Sequence, residues 1–353
     1  MQQIIAIETL PMLPPLKKNP YAVGIALFSG RYCRDRFNVL NKYCDINWID
    51  TVDPIPERTD KPISSFMNER AVELIKKGSV AVQWSGGVDS TALTTALMQN
   101  GIDPQDLEIL YDDTSVGEYP WFYETYSKNW NFKKVDDWYK ELGNNSADSI
   151  VNGWCADQLF GSVFFHDHPN LYMKPIEHFS KILTGVSFTK DEQARIIEEL
   201  KNYGKNALDV DLRTLADLGW FINFTCKWTY VSAFNNLYLS DTKNRNKTLV
   251  FYDTPGFQSW SLSNFENVSK TNIYDPEHPE EYKKALKEYA YSFTKDEDFL
   301  KNKGKNPSWN SMNNSTMYRS DRVIVKSTKG YTYYYFKNRA SYEQILQSIK
   351  NIE

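Results

Sequence analysis

The residues of this chain best suited to chemistry form one unbroken run, Ser85-Gly86-Gly87-Val88-Asp89-Ser90. The two glycines let a backbone approach a ligand closely. Ser85 and Ser90 bring hydroxyl donors, and Asp89 brings a carboxylate of the kind that holds Mg²⁺. Unpaired N–H groups gathered at a helix start favour phosphate. The run is not a Walker A loop, because no Gly-Lys-Ser/Thr follows, and it lacks the GxGxxG spacing of dinucleotide folds. An ordinary Gly-Gly turn is the plainer alternative.

A second cluster is Val151-Asn152-Gly153-Trp154-Cys155-Ala156-Asp157-Gln158-Leu159-Phe160-Gly161. Taken alone it is a glycine-bounded turn in which Asp157 is either a ligand-facing carboxylate or a helix N-cap. Further on, Lys301, Lys303 and Lys305 lie in a glycine-containing stretch, where loop lysines are most often simply solvated. Asp112 and Asp113 end an apolar run and are either candidates to meet a ribose or an amino group or ordinary loop carboxylates. His166-Asp167-His168 has no nearby third ligand and does not read as a metal site. No Ser-His-Asp arrangement can be assembled.

These residues need elements to hold them. Val80–Gln83 reads as a strand and Thr91–Met98 as the helix after the glycine loop, stopped by Gly101. Leu107–Tyr111 is a second strand and Ser149–Asn152 a third, with an amphipathic Trp/Tyr-rich stretch over 121–142 between them. A helix is expected over 65–77. The alternation predicts an α/β fold with a doubly wound parallel sheet, in which ligands bind beyond the carboxyl ends of the strands. Ile4–Ile7 and Val23–Phe28 are strand candidates in a small N-terminal mixed segment over 1–65. From about residue 175 the pattern turns helical, at 191–200, 208–221 and 280–289. A hairpin, 322–326 with 331–336, and a helix over 341–349 close the chain in a segment over 311–353.

The 353 residues carry a net charge of −4, which disfavours a nonspecific nucleic-acid binder. Four cysteines with no CxxC argue against a zinc knuckle or an iron–sulfur site. The apolar N-terminal stretch is broken by Glu8, Pro11, Pro14 and Pro15, so no signal peptide is read, and no run reaches the ~20 apolar residues of a membrane span. The expected compartment is cytoplasmic.

The run Ser85–Ser90 resembles the pyrophosphate-binding loop of the N-type ATP pyrophosphatases (the PP-loop superfamily, of adenine nucleotide α-hydrolase-like fold). The second cluster resembles the Gly-x-Gly-Ala-Asp-Glu-Leu-Phe-Gly-Gly motif of its asparagine synthetase branch, matching at Gly153, Ala156, Asp157, Leu159, Phe160 and Gly161. The resemblance implies that Ser85, Gly86, Gly87, Val88, Asp89, Ser90, Gly153 and Asp157 bind ATP, with Asp89 and Asp157 sharing Mg²⁺. Three positions depart from the motif: Cys155 stands for a glycine, Gln158 for a glutamate and Ser162 for the last glycine. Tyr252–Gln258 resembles the family's Pro-Phe-Leu-Asp region, Tyr282–Leu286 its Lys-x-x-Leu-Arg stretch, and Lys303–Ser308 its essential-lysine loop, which makes Lys303 the catalytic lysine beside Asp89.

This resemblance covers about residues 66–310 and implies an ATP-dependent, AMP- and pyrophosphate-forming ligase that joins a carboxylate to an amine or ammonia. The family's N-terminal glutaminase does not fit ahead of Ser85, so a separate amidotransferase subunit is one source of ammonia. A nucleobase- or tRNA-modifying member of the superfamily is the first alternative, and a non-catalytic binding protein with a degenerate site is the second.

Overall fold

The computed structural model describes residues 3–6, 36, 46–47, 54–161, 169–180, 189–228, 231, 244–269, 277–304, 322–327 and 330–335. The chain divides into two compact units that are not linear in sequence. One holds residues 55–160 and 234–314, the other 1–54, 161–233 and 315–353.

The described strands are β1 (Gln3–Ala6), β2 (Ile46–Asn47), β3 (Val80–Gln83), β4 (Leu107–Tyr111), β5 (Asn131–Lys134), β6 (Ser149–Asn152), β7 (Thr248–Val250), β8 (Arg322–Ser327) and β9 (Gly330–Tyr335). In the first unit, β3 to β7 form an all-parallel sheet in the order β5-β4-β3-β6-β7. This is the expected α/β, doubly wound arrangement. The chain winds outward from β3 through β4 to β5, then returns to place β6 on the other side of β3. The reversal lies between β3 and β6, the place where such sheets bind ligands.

Burial explains the central strands. Val80, Ala81 and Val82 of β3, Ile150 and Val151 of β6, and Leu107, Ile109 and Leu110 of β4 are all fully buried. Apolar runs of this kind suit strands covered on both faces. Edge strand β5, Asn-Phe-Lys-Lys, has only one apolar residue, and its lysines guard an open edge. That polarity hid it in the sequence. The stretch expected to be one amphipathic element over 121–142 is instead α4 (Pro120–Tyr126), β5 and α5 (Trp138–Asn144).

The helices that frame the site are α1 (Ile63–Ile75), α2 (Val88–Gln99), α3 (Asp113–Glu118), α6 (Ala156–Leu159), α9 (Pro255–Ser263), α10 (Lys284–Thr294) and α11 (Glu297–Asn302). Nearly every side chain of α2 is buried, from Val88 to Met98. Its buried threonines are satisfied within the helix, Thr94 by the Ser90 carbonyl at 2.7 Å and Thr95 by the Ala92 carbonyl at 2.9 Å, so it can sit inside, where α1 and α10 cover it. The three are tied through Asn68, whose Oδ1 accepts from Tyr289 at 2.6 Å and from Asn100 at 3.0 Å. Helix α10 begins at Lys284 rather than 280 and runs to Thr294.

Strand β7 is placed by one buried amide. Asn244 Nδ2 donates to the carbonyls of Leu142, at 2.7 Å, and Asn145, at 2.8 Å. Asn244→Ala would strand both carbonyls, and we expect a stability loss of about 2–3 kcal/mol in urea unfolding.

The second unit holds a four-stranded sheet in the order β1-β8-β9-β2, in which β8 and β9 form the expected antiparallel hairpin and β1 pairs antiparallel with β8. It also holds α7 (Lys190–Leu208) and α8 (Leu215–Ile222). The pattern expected over 208–221 is interrupted because Asp209 takes a left-handed conformation (φ 51°) and a Thr214–Asp217 capping box restarts the helix. The strand expected at 23–28, the helix at 341–349, His166-Asp167-His168 and Ser162 lie outside the described residues. Among the described residues, no helix is long and apolar enough to cross a membrane.

Candidate functional site

The glycine loop leaves the carboxyl end of β3 and enters α2, with Gly87 as the N-cap in extended conformation. Its shape is held from within. Ser90 Oγ accepts from the Ser85 N–H at 3.0 Å, lies 3.0 Å from Ser85 Oγ and reaches the Gly87 carbonyl at 3.2 Å. Ser85 and Ser90 therefore brace the loop. Gly86 sits at φ +76°, and a Cβ there would lie 2.3 Å from the Ser115 carbonyl oxygen. Only glycine combines that conformation with that approach.

The second cluster leaves the carboxyl end of β6, the neighbour of β3, and packs against the first. A Cβ on Gly153 would lie 3.2 Å from Asp89 Cβ and from the Ser90 nitrogen. The two loops thus approach closely at Gly153, where a side chain would meet tight contact. Cys155, where the family pattern has glycine, sits at φ +70°. The backbone keeps the left-handed turn that favours glycine, at a cost of about 1 kcal/mol or more for a side chain. Cys155 serves as the N-cap position of α6, which leaves Asp157 in the first turn with its carboxylate near the positive end. The N-cap alternative for Asp157 is thereby set aside. Gln158 is buried, so a neutral amide occupies a place where a carboxylate would lose hydration.

What joins the two aspartates is a lysine that the sequence offers only within the Tyr282–Leu286 stretch, with no role assigned to it. Lys283 Nζ lies 2.6 Å from both carboxylate oxygens of Asp89 and 2.6 Å from Asp157 Oδ1. Its side chain is only 2% exposed, while those of Asp89 and Asp157 are 26% and 36% exposed. Burial by itself would depress the amine, but the Asp157 and Asp89 carboxylates outweigh it and hold the ammonium well above the ordinary lysine range. Lys283 stands at φ +46°, immediately before α10. A cation at a helix N-terminus opposes the dipole, and left-handed backbone adds strain. Both costs are offset only because two carboxylates meet the ammonium. Tyr252, also fully buried, donates from its hydroxyl to the Asp89 carbonyl at 2.8 Å, tying the 252–258 region to the loop.

Lys303 lies on the other flank. Its Nζ donates to the Glu118 carbonyl at 2.7 Å and sits 3.4 Å from Glu118 Oε1. Burial lowers the lysine and raises the glutamate, and their mutual attraction opposes both shifts. A Cβ on Gly87 would lie 3.4 Å from Glu118 Oε1, so this pair borders the loop. Lys303 is therefore adjacent to the glycine loop but paired with Glu118, whereas Lys283 holds the two aspartates. Lys301 pairs with Glu297 on the surface of α11, and Lys305 lies outside the described residues.

The two carboxylates at the end of β4 have local partners. Asp112 caps α3, accepting from the Ser115 N–H at 2.9 Å, from Thr114 at 2.6 Å and from Trp138 Nε1 at 3.0 Å. Burial raises its carboxyl, but these hydrogen bonds dominate and hold it below the usual range. Asp113 is exposed and faces Lys134.

A third buried lysine supports the frame. Lys287 Nζ donates to the carbonyls of Pro279, at 2.6 Å, and Lys303, at 3.3 Å, and burial pushes it down to about 8. Below that pH both native and unfolded chains carry the proton. Between about 8 and 10.5 the unfolded chain keeps a proton that the native one sheds, so this group makes stability rise with pH. Urea unfolding should show Lys287→Met losing that rise relative to the unmutated chain. An equal pH slope in both proteins between pH 8 and 10 would contradict it.

The site thus suits a cation between two hard oxygen ligands, with phosphate beside it. Asp89 and Asp157 aim their oxygens at one point, and the compact ammonium of Lys283 lies there, 2.6 Å from both. Mg²⁺ takes one or two carboxylates together with phosphate oxygens and water, so the donor set fits. Among the described residues, no group of three or more His, Cys, Asp or Glu forms a self-sufficient metal cage. No family model matches the chain, and no curated protein sequence matches it.

Proposed function

We propose that this chain is an ATP-dependent, AMP- and pyrophosphate-forming ligase of the asparagine synthetase type. The observation that carries the reading is the meeting of Asp89 and Asp157 at Lys283, beside a glycine loop at the topological switch point. The order of events follows from charge. The loop N–H groups and the start of α2 hold the β and γ phosphates. A substrate carboxylate oxygen attacks the α-phosphorus, the bond to the bridging oxygen breaks, and pyrophosphate leaves with the electron pair. An amine or ammonia then attacks the acyl carbon, AMP leaves, and the amine releases a proton to solvent.

Asp89 and Asp157 would hold Mg²⁺, which when bound neutralises charge on the departing pyrophosphate. Lys283 and Lys303 place two ammonium groups at the loop, where negative charge develops. Gln158, neutral and buried, supplies no base at its position, so the amine's proton must go elsewhere.

The test is an assay of the purified chain with ATP, Mg²⁺ and a panel of carboxylates and amines. Equal release of AMP and pyrophosphate is expected with the right pair. ADP and phosphate as the products, or no binding of ATP at millimolar concentration, would refute the assignment.

A further inference from the structure

We infer that Lys283 is the resident cation of this site, occupying the position between Asp89 and Asp157 before nucleotide arrives, and that it keeps free divalent ions out. The metal then binds only together with the nucleotide phosphates. This deepens the proposed function and rests on it for the nature of the incoming cation.

The argument is one of geometry and charge. Lys283 engages Asp89 through both carboxylate oxygens and Asp157 through one, each at 2.6 Å. Three such contacts to one ammonium leave a second cation no place between the carboxylates unless Nζ withdraws. Withdrawal would take a buried ammonium away from both carboxylates. The side chain is buried, and the Tyr282 ring centroid lies 5.5 Å from Nζ. An ammonium pulled from its carboxylates into such surroundings is strongly disfavoured.

The charge count points the same way. Two carboxylates and one ammonium leave a net −1, whereas adding a bare divalent cation would leave +1 in a partly desolvated site. Phosphate oxygens reverse that balance, because they give the ammonium a new anionic partner and the metal further ligands. The left-handed backbone at Lys283 fits a side chain held in place by its partners rather than by helix geometry.

Mn²⁺ serves as the probe, read by electron paramagnetic resonance and by its effect on melting temperature. The nucleotide-free, unmutated chain is expected to bind Mn²⁺ at least tenfold more weakly than Lys283→Met or Lys283→Gln. Adding Asp89→Asn to either variant should abolish the gain. Mn²⁺ binding to the unmutated chain as tight as to the variants, or no gain in a folded variant, overturns the inference.

If neither variant folds, the unmutated chain decides alone. It should take up Mn²⁺ only with a non-hydrolysable ATP analogue, and equal uptake without the analogue overturns the inference. The two readings fail separately. A variant that gains Mn²⁺ in a chain that binds no nucleotide keeps the lysine's role and removes the proposed function. Nucleotide binding with unchanged Mn²⁺ affinity in the variants does the reverse.

Discussion

Asp89→Asn should reduce pyrophosphate release by about 10²–10³-fold while leaving a folded protein, because electrostatic stabilisation of developing charge typically supplies that much. The substitution keeps the shape of the side chain and its position in the first turn of α2. It removes one of the two charges that face the ammonium of Lys283. Lys283 retains Asp157 at 2.6 Å, so the stability loss should be about 1–3 kcal/mol, less than if the buried cation lost both partners. Pyrophosphate release and urea unfolding, measured on the same preparation, separate the two effects. A surface control, Glu69→Gln on α1, removes an exposed pair with Lys61 and should change neither. Full activity in a folded Asp89→Asn protein would remove Asp89 from the site and the proposed chemistry with it.

Gly86→Ala should lower stability by about 2–5 kcal/mol, the sum of a side chain in left-handed backbone and a methyl driven into a carbonyl. The obstructing atom is the Ser115 carbonyl oxygen, 2.3 Å from where the Cβ would stand, and it belongs to the turn that Asp112 caps. The backbone there cannot give way without loosening α3. Gly87→Ala is the contrast. Gly87 is in extended conformation, and its Cβ would meet only Glu118 Oε1 and Ser85 Oγ at 3.4 Å, so that variant should stay within about 1 kcal/mol of the unmutated chain. Thermal melting of the two variants side by side is the measurement. Equal melting temperatures would mean that Gly86 is not conformationally required.

Much of the fold was legible because its central strands are buried on both faces and read as short apolar runs. Val80–Gln83, Leu107–Tyr111 and Ser149–Asn152 all stand where the pattern places them. Strands β5 and β7 were not legible, one being polar and exposed at an edge, the other three residues long. Periodicity carries no signal for elements that bury so little.

The sequence by itself determined the glycine loop and its place between a strand and a helix, and it singled out Asp89 and Asp157. Their positions follow local chemistry, since a tight glycine turn and a helix start depend on neighbours within a few residues. It also pointed to Lys303, which the fold brings beside the loop but pairs with Glu118. Only the tertiary structure decided that Lys283, some 190 residues beyond Asp89, completes the site. Locally that lysine stands out only as part of the Tyr282–Leu286 stretch, with no role attached: it precedes a helix, at the end that repels a cation. Its position makes sense only when the sheet has brought the β3 and β6 loops together and buried the ammonium against both carboxylates. A charge pairing across the fold depends on burial and distance, and neither is written in residue spacing.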